Sequence, residues 1–470
     1  MLKFPHLPEK IFQKLNNENL FKSREVAISW KYCINEKKYL WLRIINIPTI
    51  LQNGNTYLHL AAVTGQIDAF KTALMKEEDK DVKNIYGQTS FHVACLNGRL
   101  NIVVHLLENT DLNVDIYAKD DNSWTGFNLA CREGHSKVAR FLTEKAILLG
   151  NDLNAKGFGN KAAFILACNR GHVDIIKLMI EYRFDILGID FDYIKSYGYS
   201  AFFGACSYGY SDLVKILMEN AVILSIDLNR QDPYIGHTGF NTACFQGYSN
   251  VVKILIENSA TFSIDLNVKN HKGQNSNQTA FHSACKCGHF DVAKMLIENS
   301  ATLEIYLNAK DSYGQTAFHM AIKGGYVNFV KMFMENSLTR KIDLNAKDHD
   351  GRTGFYIACT KGFFNMAKIL MDNSATLNID LNAKNHLGQT AFHLACRFGH
   401  FIVAKMLIEN STALNINLNT TDNAGVTAYN LGLTSGSKST MELMLNNADI
   451  LQIDNGFNKR NKIIKLAFFR

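Results

Sequence analysis

Proline is scarce in this sequence, with four residues in 470, and tryptophan is scarcer still, with three. So little proline excludes a collagen-like or proline-rich extended chain. No apolar run reaches the roughly 18 residues that a membrane-spanning helix requires, and we expect no membrane insertion. The first six residues lack the apolar stretch of a secretory signal, so we expect none. With 47% apolar and 20% charged residues, the composition is that of an ordered protein.

Acidic residues are absent from residues 456–470, which hold five lysines and arginines. Residues 1–50 are also basic, with nine basic and four acidic side chains. Because the net charge of the whole chain is +7, these two ends leave −3 for residues 51–455. A basic stripe along the whole chain is therefore excluded, and we expect no nucleic-acid partner.

Sequence motifs of catalysis are missing as well. The chain has no glycine-rich phosphate loop after a strand, no Gly-x-Ser-x-Gly and no His-Glu-x-x-His. The sequence therefore predicts a protein that is not an enzyme and that uses no cofactor.

What the sequence does contain is one segment repeated eleven times, typified by Thr-Ala-Phe-His-Leu-Ala-Cys at residues 390–396. The copies are 33 to 41 residues apart, and a glycine stands nine residues after every start. Such a period indicates a solenoid in which each unit packs only on its neighbours. The copies start at Thr56, Thr89, Thr125, Ala162, Ser200, Thr238, Thr279, Thr316, Thr353, Thr390 and Thr427.

Each copy predicts two short helices and a turn. The leading threonine suits the N-cap of the first helix, and the glycine suits a left-handed position just after that helix. A second amphipathic helix follows, as over residues 290–299. A segment such as residues 379–388 then turns the chain back into the next copy.

These motifs resemble the ankyrin repeat over roughly residues 53–450. The resemblance implies an all-α ankyrin-repeat solenoid of about eleven helix–turn–helix–hairpin repeats that binds proteins. Two departures from the family pattern recur. Proline never follows the leading threonine, and phenylalanine replaces leucine at the next position in nine copies.

The cysteines follow the repeat. Eight of the ten stand six residues after a repeat start, at the small buried position of the first helix, so we expect free thiols packed as compact hydrophobic groups. Free thiols indicate a reducing compartment, and we expect a cytoplasmic protein, with a nuclear location as the alternative.

Histidine and cysteine also cluster at residues 281–289, in the residue types of a zinc site. Three of the four ligand candidates occupy positions that recur in other repeats, and only Cys287 is peculiar to this one. We therefore expect no metal. The recurrent histidines three residues after the threonines are expected to hydrogen-bond to those threonines and to neighbouring repeats rather than to act as bases.

The first fifty residues do not follow the repeat. Three short apolar helical patterns over residues 4–45 cannot bury a core alone. Their spacing resembles an F-box, which implies binding to the Skp adaptor of a cullin-based ubiquitin ligase; the alternative is an N-terminal cap of the solenoid. The positions that carry the resemblance, and would contact the adaptor, are Leu7, Pro8, Ile11, Leu15, Leu20, Trp30 and Trp41.

The last residues of the first helices vary between copies and are rich in basic and aromatic side chains. In ankyrin proteins these positions line the concave binding face, so the resemblance implies a surface for an acidic or phosphorylated protein segment; the alternative is ordinary solvated surface. The candidate partner-binding residues are Arg132, Arg170, Tyr208, Phe245, Lys286, Lys323, Lys361, Arg397 and Phe398.

Two functions follow from the resemblances. The first is the substrate receptor of a cullin–RING (SCF-type) ubiquitin ligase, in which residues 4–45 bind the Skp adaptor and the concave face binds the substrate. The second is an ankyrin scaffold or sequestering protein with no link to ubiquitin. The basic residues 451–470 are expected to form a docked terminal helix or cap, with membrane binding or nuclear import as alternatives.

Overall fold

The structure is a computed structural model that describes residues 53–75, 81–112, 114–148, 159–182, 201–271 and 277–451. These residues form helices and turns without a β-strand, and the single isolated β-bridge among them joins Thr421 and Thr427. The expected F-box-like module at residues 4–45 and the basic residues 452–470 lie outside the described residues.

The chain divides into two compact units. The N-terminal unit contains residues 1–201 and 222–226. Its described helices are α1 (Tyr57–Thr64), α2 (Ile67–Leu74), α3 (Ser90–Leu96), α4 (Leu100–Glu108), α5 (Gly126–Arg132), α6 (Ser136–Leu148), α7 (Gly159–Asn169) and α8 (Val173–Glu181), with a short 3₁₀ helix at Thr110–Leu112.

The C-terminal unit contains residues 202–221 and 227–470. Its helices begin with α9, over residues 201–208, which starts at the boundary of the unit. The others are α10 (Ser211–Glu219), α11 (Gly239–Gln246), α12 (Ser249–Glu257), α13 (Ala280–Cys287), α14 (Phe290–Glu298), α15 (Ala317–Lys323), α16 (Val327–Arg340), α17 (Gly354–Thr360), α18 (Phe364–Asp372), α19 (Ser374–Leu377), α20 (Ala391–Arg397), α21 (Phe401–Glu409), α22 (Ala428–Leu433) and α23 (Lys438–Asn446).

Within each unit, first helices pack on first helices and second helices pack on second helices. In the C-terminal unit the first helices α13, α15, α17 and α20 are in contact in that order, and so are the second helices α14, α16, α18 and α21. The phenylalanines two residues after the repeat starts fill the space between these layers. All nine are 1–2% exposed: Phe91, Phe127, Phe164, Phe202, Phe240, Phe281, Phe318, Phe355 and Phe392.

The first helices begin where the sequence predicts, with one exception. Thr89, Thr279 and the other described threonines at repeat starts are the N-caps of their helices. Around Ala162, where no threonine is present, the helix begins earlier, at Gly159. This repeat thus departs from the others, in which the helix begins directly after a threonine N-cap.

The glycine nine residues after each start has a left-handed backbone in all eleven repeats, with φ between 66° and 80°. A second constraint acts on this position. A Cβ atom on Gly247 would lie 2.4 Å from Nδ1 of His289, and the Nε2 atom of that ring lies 2.8 Å from the carbonyl oxygen of Phe245. The glycine therefore ends the first helix and also makes room for a ring of the next repeat.

One contact between adjacent repeats explains both the absence of proline after the leading threonine and the presence of phenylalanine at the next position. A Cβ atom on Gly354, the residue after Thr353, would lie 2.4 Å from the ring of Phe318 in the preceding repeat. A Cβ atom on Gly126 would lie 2.6 Å from the Phe91 ring, and one on Gly239 would lie 2.8 Å from the Phe202 ring. Because the larger phenylalanine reaches the start of the next helix, that position holds glycine or another small residue where proline would collide.

A row of asparagine side chains joins successive repeats of the C-terminal unit, and we call it the asparagine ladder. The Asn345 amide nitrogen donates to the Asn378 carbonyl at 2.7 Å, and its oxygen accepts the Asp380 N–H at 2.8 Å. Each residue that supplies the carbonyl has a left-handed backbone, with φ of 51–52°. The members of the ladder are Asn229, Asn267, Asn308, Asn345 and Asn382.

Candidate functional site

The recurrent histidines form structural hydrogen bonds. Nδ1 of His282 accepts the backbone N–H of Thr279 at 3.2 Å, so the ring hydrogen is on Nε2, which donates to the Gln315 carbonyl of the next repeat at 3.0 Å. Burial lowers the pKa of His282 below its ordinary value. The neutral ring is thus fixed as a bridge between repeats, as the sequence predicted, and both nitrogens are occupied.

The thiols of the first helices are sealed in the core. All eight cysteines at the repeat position are free and buried, and burial raises the pKa of thiols such as Cys95 and Cys359 far above the ordinary range. Cys287 is half-buried. The described residues contain no group of three or more histidine, cysteine, aspartate or glutamate side chains arranged to hold a metal ion.

The two predicted arginines of the N-terminal unit share one acid. Arg132 Nε lies 3.1 Å from one carboxylate oxygen of Glu133, and Arg170 Nη1 lies 3.4 Å from the other. The Arg132 guanidinium also lies over the Trp124 ring, 4.8 Å from its centroid. Much of the positive charge that the sequence predicts here is therefore neutralised within the unit.

The four predicted cations of the C-terminal unit are arranged differently. Lys286, Lys323 and Arg397 are at the ends of their first helices, and Lys361 follows the end of α17. All four are exposed, and in the described part of the chain none of them forms an ion pair. We call these four residues the basic strip, since the helices that carry them pack side by side.

Lys323 is the member of the basic strip whose charged neighbours can be named. Partial burial lowers the pKa of Lys323, and the nearby cations Arg352 and Lys361 lower it further, whereas Asp348 and Asp311 oppose the change. Asp348 is already bound to Arg352, with a distance of 2.8 Å between Oδ2 and Nη2. Asp311 accepts the backbone N–H groups of its own turn and a side-chain N–H from the preceding repeat. Both acids therefore have other partners, and neither forms an ion pair with Lys323.

The predicted aromatic residues are exposed and do not form one cluster. Phe398 is 54% exposed, with its ring centroid 6.0 Å from the Arg397 guanidinium. Phe245 is 40% exposed and packs beside the ring of His237, 5.9 Å away. Tyr208 is 58% exposed and contacts Tyr210. Phe398 is thus the aromatic residue that belongs directly to the basic strip.

The sequence shows Glu133 as the one acid among the basic helix ends, but sequence reasoning missed which arginines the acids pair with. Glu133 lies within ion-pair distance of two arginines, while Asp348 and Asp350 together bind Arg352. The signal was present only in part, because an acid stands one or two residues from Arg132 and from Arg352 but not from Arg170. It could not be interpreted without the distances between repeats, since partners such as Arg170 and Glu133 are 37 residues apart.

Within the described residues, no helix combines the length and the apolar character needed to cross a membrane.

Comparison with known proteins supports the fold. The family model described as "Ankyrin repeats (3 copies)" matches residues 32–120, 58–156, 145–232, 221–311, 302–385 and 374–454. A 69-residue segment is 35% identical to alpha-latroinsectotoxin-Lt1a of Latrodectus tredecimguttatus, covering 15% of this chain and 5% of the toxin. A 69-residue match, also 35% identical, is to protein phosphatase 1 regulatory subunit 27 of Mus musculus, covering 15% of this chain and 40% of that protein.

The two relatives are thus matched over less than half of their length. The family model, in contrast, matches most of this chain, and its matches agree with the stacked pairs of helices. The chain belongs to the ankyrin repeat family.

Proposed function

We propose that this protein is the substrate receptor of a cullin–RING ubiquitin ligase and that its repeats hold the substrate. Ankyrin repeats act as protein-binding modules, so protein partners follow from the family. The observation that carries the substrate-binding half is the basic strip, because its four exposed cations have no acidic partner among the described residues while the arginines of the N-terminal unit do. Charged side chains that the fold leaves unpaired are available to a partner.

The adaptor-binding half of the proposal depends on the sequence of residues 4–45. The Leu7-Pro8 pair, Ile11 and the tryptophans Trp30 and Trp41 have the spacing of an F-box. In this function the ubiquitin transfer takes place on other subunits, and this chain raises the local concentration of the substrate near them. No catalytic residue is needed in the chain.

The test is capture of the Skp adaptor by the full-length protein. We expect the wild-type chain to retain the adaptor and the Leu7→Ala/Pro8→Ala variant to lose most of it, because the adaptor contact depends on that apolar pair. The control is Lys323→Gln in the full-length chain, which changes the repeats and should capture the adaptor as the wild type does.

Equal capture by all three proteins, or by none, would reject the receptor function. The protein would then be an ankyrin scaffold or sequestering protein without a link to ubiquitin.

A further inference from the structure

The basic strip is a set of four exposed cations that form no ion pair in the described part of the C-terminal unit. Lysines on the second helices, in contrast, have acids nearby: Lys253 is 3.8 Å from Glu257 and Lys294 is 3.9 Å from Glu298. Arg352 is paired with two aspartates. Other exposed lysines without an ion pair in the described part of the chain donate to backbone carbonyls of the next repeat: Lys269, Lys310 and Lys384. The cations at the ends of the first helices have no ion pair among the described residues.

We propose that the basic strip binds an extended, acidic protein segment that also carries apolar side chains, an inference that adds ligand chemistry to the protein-binding function proposed above. Lys286, Lys323, Lys361 and Arg397 provide the charge, and Phe398 provides an exposed ring at one end. The N-terminal unit is not included, because both of its predicted arginines already lie within ion-pair distance of Glu133.

The length of the segment follows from the repeat geometry. Packed helices are about 8–10 Å apart, so four successive helix ends span roughly 30 Å. An extended chain advances about 3.3 Å per residue, so about nine residues reach from Lys286 to Arg397. Carboxylates at several positions of such a segment could each lie near one cation of the strip.

The experiment measures binding of a fluorescein-labelled peptide to the full-length protein by fluorescence anisotropy. The probe is a Glu-Glu-Leu repeat of about twelve residues, slightly longer than the span of the strip. The strip variant is Lys286→Gln/Lys323→Gln/Lys361→Gln/Arg397→Gln. We expect it to bind the probe about tenfold more weakly or worse, and we expect added salt to weaken wild-type binding.

Two matched controls separate the strip from net charge. Lys215→Gln/Lys253→Gln/Lys294→Gln/Lys405→Gln also removes four positive charges, from the second helices, and should bind the probe as the wild type does. Arg132→Gln/Arg170→Gln should also bind normally. Cations at helix C-termini stabilise helices, so thermal unfolding of the strip variant is measured alongside, and single replacements are used if the fourfold variant is unfolded.

Other probes define the ligand. A peptide with phosphoserine in place of glutamate should bind through the same four residues, and competition by free inorganic phosphate distinguishes a phosphate pocket from a peptide surface. Equal binding of a Gln-Gln-Leu peptide, equal binding by the strip variant, or tighter binding of an oligothymidylate would each overturn the proposal.

The outcome is independent of adaptor capture. If the strip variant binds the probe as the wild type does while Skp capture is normal, the acidic ligand alone is rejected. Strip-dependent probe binding without Skp capture rejects the receptor function alone.

Discussion

At the scale of single residues, the histidine bridges make folding sensitive to pH. His92, His282, His319 and His393 each have a pKa lowered by burial, so the folded protein keeps these rings neutral. The unfolded chain takes up protons as the pH falls past the ordinary value of 6.5. The stability contributed by the neutral rings is therefore complete above pH 6.5 and is lost as the pH falls below it.

The repeats contain a replacement that removes this sensitivity. Asn241 stands at the histidine position and makes equivalent bonds, with its amide oxygen 2.7 Å from the Thr238 hydroxyl and its nitrogen donating to the Val268 carbonyl at 2.9 Å. We predict that His282→Asn/His319→Asn/His393→Asn folds and that its melting temperature falls less between pH 7.5 and pH 5 than that of the wild type. Parallel pH profiles of the two proteins would contradict this explanation.

The residues that supply carbonyls to the asparagine ladder have a left-handed backbone, which is strained for most side chains. Lys341 has φ of 52°, and the equivalent residues of later repeats are Asn378 and Asn415. Asparagine tolerates this backbone better than lysine does. We predict that Lys341→Asn raises the free energy of unfolding by about 0.5–1 kcal/mol in chemical denaturation. Lys347→Asn, the same change at a position without positive φ, is the control and should give no gain.

At the scale of helices, the contact between Phe318 and Gly354 couples adjacent repeats. Gly354→Ala places a methyl group against the Phe318 ring, and we predict a loss of about 1–3 kcal/mol in the free energy of unfolding. In a Phe318→Leu background the same change should cost less. A double-mutant cycle with zero coupling energy would show that the two positions are independent.

The asparagine ladder gives a second coupling between repeats. Asn345→Ala removes two hydrogen bonds to the next repeat, and we predict a loss of about 1–2 kcal/mol in the free energy of unfolding. Asn419 is the control, since its amide nitrogen makes one long bond of 3.5 Å to the Ile450 carbonyl of the next segment. Asn419→Ala should cost clearly less than Asn345→Ala.

The helices were largely predictable from sequence, and the bonds between repeats were not. Thr89 and Gly98 mark the two ends of a first helix through local chemistry, so their pattern is sufficient. The ladder was missed although Leu-Asn recurs at Leu344-Asn345 and equivalent positions. Its partners are 33 to 39 residues away and become visible only once the repeats are stacked.

The residues of the candidate site could be predicted from the sequence, but which of its cations form ion pairs could not. The sequence placed Arg170 and Lys323 in one group because both are basic residues near a helix end. The structure separates them: Arg170 lies 3.4 Å from an oxygen of Glu133, and Lys323 has no ion pair in the described part of the chain. Side-chain pairing across repeats depends on distances that periodicity alone does not provide.

At the scale of the whole molecule, the reactivity of the buried thiols can be used to measure which repeats unfold first. Linear repeat arrays need not unfold as a single cooperative block. We predict that Asn345→Ala lowers the urea concentration at which Cys359 and Cys396 react with iodoacetamide, as followed by mass spectrometry, and leaves that of Cys95 and Cys131 unchanged, because the bonds of Asn345 lie in the C-terminal unit. Cys287, which is half-buried, should react before the others. One shared midpoint for all the buried thiols would show that both units unfold together.

Each asparagine of the ladder bonds to a backbone carbonyl and a backbone N–H of the following repeat. Its own repeat presents the same carbonyl and N–H to the asparagine of the preceding repeat. The two sides of a repeat are therefore complementary to each other. A gene that duplicates or deletes one such unit therefore creates a junction with the same bonds as every other junction. The length of the array can change by whole units without any compensating substitution, so growth of the protein by tandem duplication requires no new chemistry.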